Sequence, residues 1–136
     1  MIVVDANVIA YYFIEGDMTP LARSLHAKEP VWAVPSLWRH EFLNILATAG
    51  KAAAIPVTLL AEIWKAAFAR LAECERTLDM GRALEMAVDL RISAYDAQYL
   101  ALAESLGVDC VTEDGKLIRA SRGRALRMKD WLAAEQ

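Results

Sequence analysis

The first thirteen residues, "MIVVDANVIAYYF" (1–13), contain the pattern from which the fold class can be predicted. Residues 2–4 are apolar and β-branched, which favours a short buried strand, and the apolar residues after Asp5 recur at helical spacing. The stretch therefore predicts a strand that leads directly into a helix, with one carboxylate at the junction. Asp5 alone has an ordinary explanation, because aspartate is a favoured N-cap and stabilises a helix by about 1 kcal/mol.

The same alternation of strand and helix continues along the chain. Further short apolar strands are predicted at "VWAV" (31–34), "VDCVT" (108–112) and "ALRM" (125–128), with an extended piece near residues 77–78. Helical segments separate them, and short parallel strands alternating with helices indicate the α/β class. We expect a parallel sheet covered by helices, with ligands binding beyond the carboxyl ends of the strands.

Several helix boundaries can be predicted from capping residues. Thr19 is expected to cap a helix that has Pro20 at its first position, and Ser36 to cap one that Gly50 stops. A helix from Ser93 is expected to stop at Gly107, and another begins after Pro56.

Composition limits the class of protein. The chain has 136 residues, 57% of them hydrophobic and 24% charged, so we expect one globular domain over residues 1–136. No uncharged apolar run approaches the roughly 18 residues that cross a bilayer, which predicts a soluble, cytoplasmic protein with no membrane partner. Cys74 and Cys110 are far apart and lack a histidine at metal-ligand spacing, so we interpret both as reduced packing residues.

The net charge of −3 argues mildly against general nucleic-acid binding. The charge is unevenly distributed, however, because residues 115–129 contain no acid. Six bases lie there: Lys116, Arg119, Arg122, Arg124, Arg127 and Lys129. This segment is either an ordinary solvated surface or an edge that attracts phosphates.

Glu41 is the acid that capping cannot explain. In the helix after Ser36 it falls inside the apolar stripe, four residues after Leu37 and four before Ile45. A carboxylate directed toward a core costs several kcal/mol unless it is paired or holds a metal. No base lies on that stripe, so Glu41 favours a functional interpretation.

Three other acids are predicted to meet at one edge of the sheet. Asp5 and Asp114 follow strands, and Asp96 lies in the first turn of the helix after Ser93. Each by itself could stabilise a helix terminus, but together they would repel one another unless a cation held them. Oxygen ligands without His or Cys favour Mg²⁺ or Mn²⁺, and such a site suits phosphodiester hydrolysis.

Four segments resemble the PIN-domain family, in particular the VapC-like toxins of toxin–antitoxin pairs. They are "VVDANVIAYYF" (3–13), "PSLWRHEFLNIL" (35–46), "SAYDAQYLALAESLG" (93–107) and "CVTEDGKL" (110–117). The resemblance implies a three-layer α/β/α sandwich around a short parallel sheet and an Mg²⁺- or Mn²⁺-dependent endoribonuclease. It also implies a homodimer and a VapB-type antitoxin as partners.

The resemblance also implies roles for individual residues. The family's acidic site falls on Asp5, Glu41, Asp96 and Asp114, as catalytic residues and metal ligands. Asn7 would orient a ligand or a water, and Thr112 would donate a hydrogen bond to the site. We expect RNA to contact Lys116, Arg119 and Arg122.

Two alternatives stay open. The chain can be a non-catalytic interaction module in which the acids only cap helices, and Glu41 argues against this. It can also be a nuclease that acts on DNA.

Overall fold

A computed structural model of the protein describes residues 1–135. Its four strands are β1 (Ile2–Val4), β2 (Trp32–Ala33), β3 (Cys110–Val111) and β4 (Ala125–Leu126). They form one sheet in the order β2-β1-β3-β4, and every pair is parallel. The predicted α/β class is confirmed.

Eight α-helices accompany the sheet within residues 1–135. They are α1 (Ala6–Phe13), α2 (Thr19–Lys28), α3 (Leu37–Ala53), α4 (Val57–Leu71), α5 (Met80–Leu90), α6 (Ala94–Leu106), α7 (Gly115–Ala120) and α8 (Met128–Ala134). A single 3-10 turn, Ala72–Cys74, follows α4. None of the helices in this part of the chain is both long and apolar enough to cross a membrane.

The core has two halves, one on each face of the sheet. Successive strand residues point to opposite faces, so Ile2 and Val4 pack in one half and Val3 in the other. The first half contains residues of α1 to α4 and α8, and the second contains residues of α5, α6 and α7. The arrangement is the predicted three-layer sandwich.

Gly50 does not stop α3, contrary to the prediction. The helix continues to Ala53, and Ala54 then adopts a left-handed conformation with φ of 53°. A Cβ added at Gly50 would lie 2.6 Å from Cδ1 of Leu60, so any larger residue here would have to displace the Leu60 side chain where α4 approaches α3.

Two smaller predictions also need correction. Thr19 is the first residue of α2 and Met18 is its cap; the buried Thr19 hydroxyl instead accepts from Gly16 N at 3.0 Å and donates to Tyr11 O at 2.7 Å. The extended piece expected near residues 77–78 lies earlier, where Glu75 pairs in parallel with Val34.

Candidate metal centre

Asp5 lies where β1 ends and α1 begins. Its backbone N–H continues the sheet toward Val111 O at 3.4 Å, and its Oδ1 accepts from Val8 N at 3.0 Å, which caps α1. Its Oδ2 accepts from the hydroxyl of Thr112. The side chain is thus held by both neighbours, and only 7% of the residue is exposed.

The environment of Asp5 disfavours its charge. Burial raises the pKa of Asp5 to about 6, against the opposing effect of the hydrogen bonds from Thr112 and Val8. The charges of Asp96 and Glu41 raise this pKa further. Asp5 therefore shares its surroundings with two other carboxylates.

Thr112 connects the two strand ends. It follows β3 and is completely buried, and besides donating to Asp5 it accepts from Asp114 N at 3.1 Å. Asp114 then caps α7, because its Oδ1 accepts from Lys116 N at 2.9 Å.

One cleft of about 200 Å³ is lined by Asp5, Glu41 and Asp96, and we call it the acidic cleft. Glu41 is half-buried on α3, and its pKa is raised by burial and by the charge of Asp96. The pKa of Asp96 is raised by burial and then by the charge of Asp114, while Ser93 and Lys116 act in the opposite direction. Three of the predicted acids thus face one another, and Asp114 adjoins Asp96 without lining the cleft.

Three polar side chains in this cleft complete its wall. Asn7, the predicted orienting residue, belongs to them. Asn44 and Tyr99 also line the cleft, and sequence reasoning missed both. Each lies three residues after a predicted acid on the same helix, Glu41 and Asp96 respectively, so helical spacing was the signal that could have found them.

The donor set of this cleft fits a divalent cation. Its acidic groups are the carboxylates of Asp5, Glu41 and Asp96 and the phenol of Tyr99, and the described residues that line it include no base. Within residues 1–135, no three His, Cys, Asp or Glu side chains come close enough to form a preassembled metal site. Mg²⁺ keeps several of its waters when it binds to proteins, so carboxylates that line one cleft could contact it through water.

The predicted basic residues are divided between two edges of the sheet. The positive charge of Lys116 lowers the pKa of Asp96. Arg119 lies in the last turn of α7, but its guanidinium reaches the start of the helix, where a Cβ on Gly115 would be 3.0 Å from its Nη1. The same Cβ would lie 3.2 Å from Nη2 of Arg127, which therefore joins this group. We call Lys116, Arg119 and Arg127 the basic rim.

Arg122 lies elsewhere. It lines a cleft of about 420 Å³ together with Asp109 and Arg124. These two residues precede β3 and β4, so that cleft lies at the amino edge of the sheet, opposite the acids. The structure does not bring Arg122 to the acidic cleft.

The PIN domain family model matches residues 2–123 of the chain. The protein therefore belongs to the PIN domain family. The crystal structure of PAE2754 from Pyrobaculum aerophilum is similar to it, with a TM-score of 0.77 and 22% sequence identity over 99% of this chain and 97% of that chain. This likeness shows the shared fold, and no curated protein sequence matches the chain significantly. PIN domains are nuclease-type folds that are generally dependent on divalent metal ions.

Proposed function

We propose that the protein is an Mg²⁺- or Mn²⁺-dependent endoribonuclease and the toxin of a toxin–antitoxin pair. The observation that carries the catalytic part is the cleft in which Asp5, Glu41 and Asp96 face one another with no base among the described residues that line it. Carboxylates that share a cleft raise one another's pKa, and a cation bound between them stabilises their charged forms. Helix termini account for Asp5 and Asp96 but not for Glu41, which lies within α3 and caps no helix.

The residues of this cleft have distinct tasks in the proposed reaction. Asp5, Glu41 and Asp96 would hold the metal, and Asn7 would orient a ligand or water beside them. A bound Mg²⁺ or Mn²⁺ supplies a Lewis acid that activates water and stabilises negative charge on the phosphate. Asp96 or Asp114 would orient the attacking water and take up its proton.

The basic rim supplies the contact with the nucleic-acid backbone. Lys116, Arg119 and Arg127 lie beside Asp114 and Asp96, so phosphates bound there are adjacent to the cleft. Cations at that place also offset the repulsion between the acids and a polyanionic substrate. RNA is the substrate that we propose, on the strength of the resemblance to VapC-like proteins.

Exposed apolar surface supports the proposed protein partners. An apolar cleft of about 320 Å³ between α3 and α4 suits the apolar face of an antitoxin helix. On α5, Met80, Leu84 and Val88 are largely exposed at helical spacing. Two copies of α5 packed antiparallel would join these stripes and bring the acidic start of each helix, at Asp79, toward Arg91 at the end of the other.

A cleavage assay tests the catalytic proposal. Single-stranded RNA and DNA of one sequence are incubated with the protein in EDTA, Mg²⁺ or Mn²⁺. We expect cleavage of RNA only, only with metal, and a loss of at least 100-fold in Glu41→Gln. Glu62→Gln, a carboxylate exchange on the exposed side of α4, is the matched control and keeps full activity.

Each contrary result of this assay has a defined meaning. Cleavage of DNA in preference to RNA would assign the protein to the DNA-acting alternative. Unchanged cleavage by Glu41→Gln would show that the catalytic metal centre does not lie in the acidic cleft. An inert protein that still binds a partner would be the non-catalytic interaction module.

The α5 stripe is tested by oligomeric state. Leu84→Glu places a charge at the centre of the stripe, and we expect the dimer to become a monomer in light scattering coupled to gel filtration. Leu59→Glu, an equally exposed position on α4, leaves the dimer intact. A dimer that persists in Leu84→Glu would place the interface on another surface.

A further inference from the structure

Tyr99 is a buried residue of the acidic cleft that the proposed mechanism does not use. It lies on α6 three residues after Asp96, so the two side chains share one side of that helix. Only 1% of the residue is exposed, and it lines the cleft with Asp5 and Glu41. Its hydroxyl is one of two buried side-chain polar atoms in residues 1–135 that complete no hydrogen bond of normal geometry, the other being Nε1 of Trp32.

A buried hydroxyl without a partner requires an explanation. Phenylalanine would fill the same volume and leave no polar atom unsatisfied, so packing alone does not require tyrosine here. Tyr99 and Glu41 line the same cleft, and the two groups shift each other's pKa. The carboxylate of Glu41 is therefore the hydrogen-bond acceptor available to the Tyr99 hydroxyl.

We propose that Tyr99 is a positioning residue. Its hydroxyl donates a hydrogen bond to one carboxylate oxygen of Glu41 and so directs the other oxygen into the cleft. The inference rests on the proposed function, because it assigns Glu41 as a metal ligand. Glu41 is half-buried on α3, and without Tyr99 its side chain is free to rotate toward solvent. Hydrogen bonds that orient a ligand in this way typically change metal affinity 10- to 100-fold.

The test measures metal binding and not only activity. Mn²⁺ is titrated calorimetrically into the full chain, in wild type, Tyr99→Phe and Tyr95→Phe. We expect the dissociation constant of Tyr99→Phe to rise about tenfold or more. Tyr95→Phe is the matched control, because Tyr95 lies on the same helix with its side chain exposed, and it binds Mn²⁺ as wild type does.

A second comparison separates positioning from a structural role. In a Glu41→Ala background, Tyr99→Phe should change Mn²⁺ affinity less than twofold, because no carboxylate is left to orient. In EDTA, Tyr99→Phe should melt no lower than wild type, since the substitution removes no completed hydrogen bond from the fold.

Four outcomes would overturn the inference. Equal Mn²⁺ affinity of Tyr99→Phe and wild type removes the role of Tyr99 and leaves the proposed function standing. If Tyr99→Phe lowers Mn²⁺ affinity equally in the wild-type and Glu41→Ala backgrounds, Tyr99 acts through another group. A melting temperature in EDTA lowered by more than about 4 °C shows a structural hydrogen bond. No Mn²⁺ binding by wild type overturns the proposed function and this inference together.

Discussion

The hydroxyl of Thr112 donates a hydrogen bond to Oδ2 of Asp5, and so connects the end of β3 to the end of β1. The hydroxyl oxygen of Thr112 also accepts a hydrogen bond from the backbone N–H of Asp114 at 3.1 Å. One buried side chain thereby sets the position of an acid inside the cleft and of a second acid beside it. Thr112 is the residue through which the sheet controls the geometry of the candidate site.

Replacement of Thr112 by valine keeps the shape of the side chain and removes both hydrogen bonds. We expect the free energy of unfolding to fall by about 1–3 kcal/mol, because Asp5 and the N–H of Asp114 lose their partners. Urea denaturation measures this change. Thr112→Ser keeps the hydroxyl and should retain most of the stability and activity, so equal losses in the two variants would contradict the hydrogen-bonding role.

Asp5→Asn should stabilise the metal-free protein at neutral pH while it abolishes hydrolysis. The pKa of Asp5 is raised from 3.8 to about 6 in the folded state, so charging it on folding is unfavourable above that pH. At 1.36 kcal/mol for each pKa unit, the gain in unfolding free energy approaches about 3 kcal/mol at pH 8.

The pH dependence provides the check on this prediction. A raised carboxyl pKa means that the folded state binds the proton more tightly, so the stability of the wild type rises as pH falls from about 6 toward 3.8. The advantage of Asp5→Asn should therefore shrink over the same range in denaturation experiments in EDTA. Asp17→Asn, on an exposed loop, is the control, and a pH-independent difference between Asp5→Asn and wild type would contradict the assignment.

Arg119→Ala and Arg127→Ala should weaken RNA binding and reduce its salt dependence. Each lost phosphate contact lowers the slope of log K against log salt by about 0.7 for a single strand. Fluorescence anisotropy in EDTA measures binding without cleavage. Arg122→Ala is the matched control at the opposite edge of the sheet, and an equal effect of all three would mean that the RNA does not follow the basic rim.

Glu75 is predicted to stabilise the fold without contributing to catalysis. It accepts from Nε1 of the completely buried Trp38 at 3.0 Å and from Arg39, which lowers the pKa of Glu75 below 4.5. Glu75→Ala leaves the indole N–H unpaired and should cost about 1–3 kcal/mol of unfolding free energy.

This contribution of Glu75 should depend on pH. A lowered carboxyl pKa means that its stabilising effect is present above 4.5 and is lost as pH falls below that value. Thermal melts at pH 7 and pH 3 measure it, with Glu73→Ala as the exposed neighbour. A difference between Glu75→Ala and wild type that persists unchanged at pH 3 would contradict the ionic part of the interaction.

Local patterns were sufficient for the order of strands and helices and for the edge at which the acids meet. The strand before Asp5 and the capped helix from Ser93 to Gly107 have signals within a few residues, and the structure confirms them. Glu41 is distinguished by its place inside the apolar stripe of its helix, between Leu37 and Ile45, and it does line the cleft.

Tertiary contacts account for what the sequence did not reveal. Gly50 has the local pattern of a helix stop, but its role depends on how closely Leu60 approaches from another helix. The contact of Glu113 is likewise made at a distance in sequence, because its Oε2 accepts from Met128 N at 2.9 Å, fifteen residues later in the chain. Distances of this kind are set by packing, and no periodicity in one segment encodes them.

The acidic cleft draws its side chains from both helical layers and from the sheet edge between them. Glu41 comes from α3 on one face, Asp96 from α6 on the other, and Asp5 from the junction after β1. A nascent or partly folded chain that has docked only one layer has no such cleft, whatever motifs it already contains. Any hydrolytic activity of this site therefore begins only when both helical layers have docked on the sheet and the tertiary structure is complete.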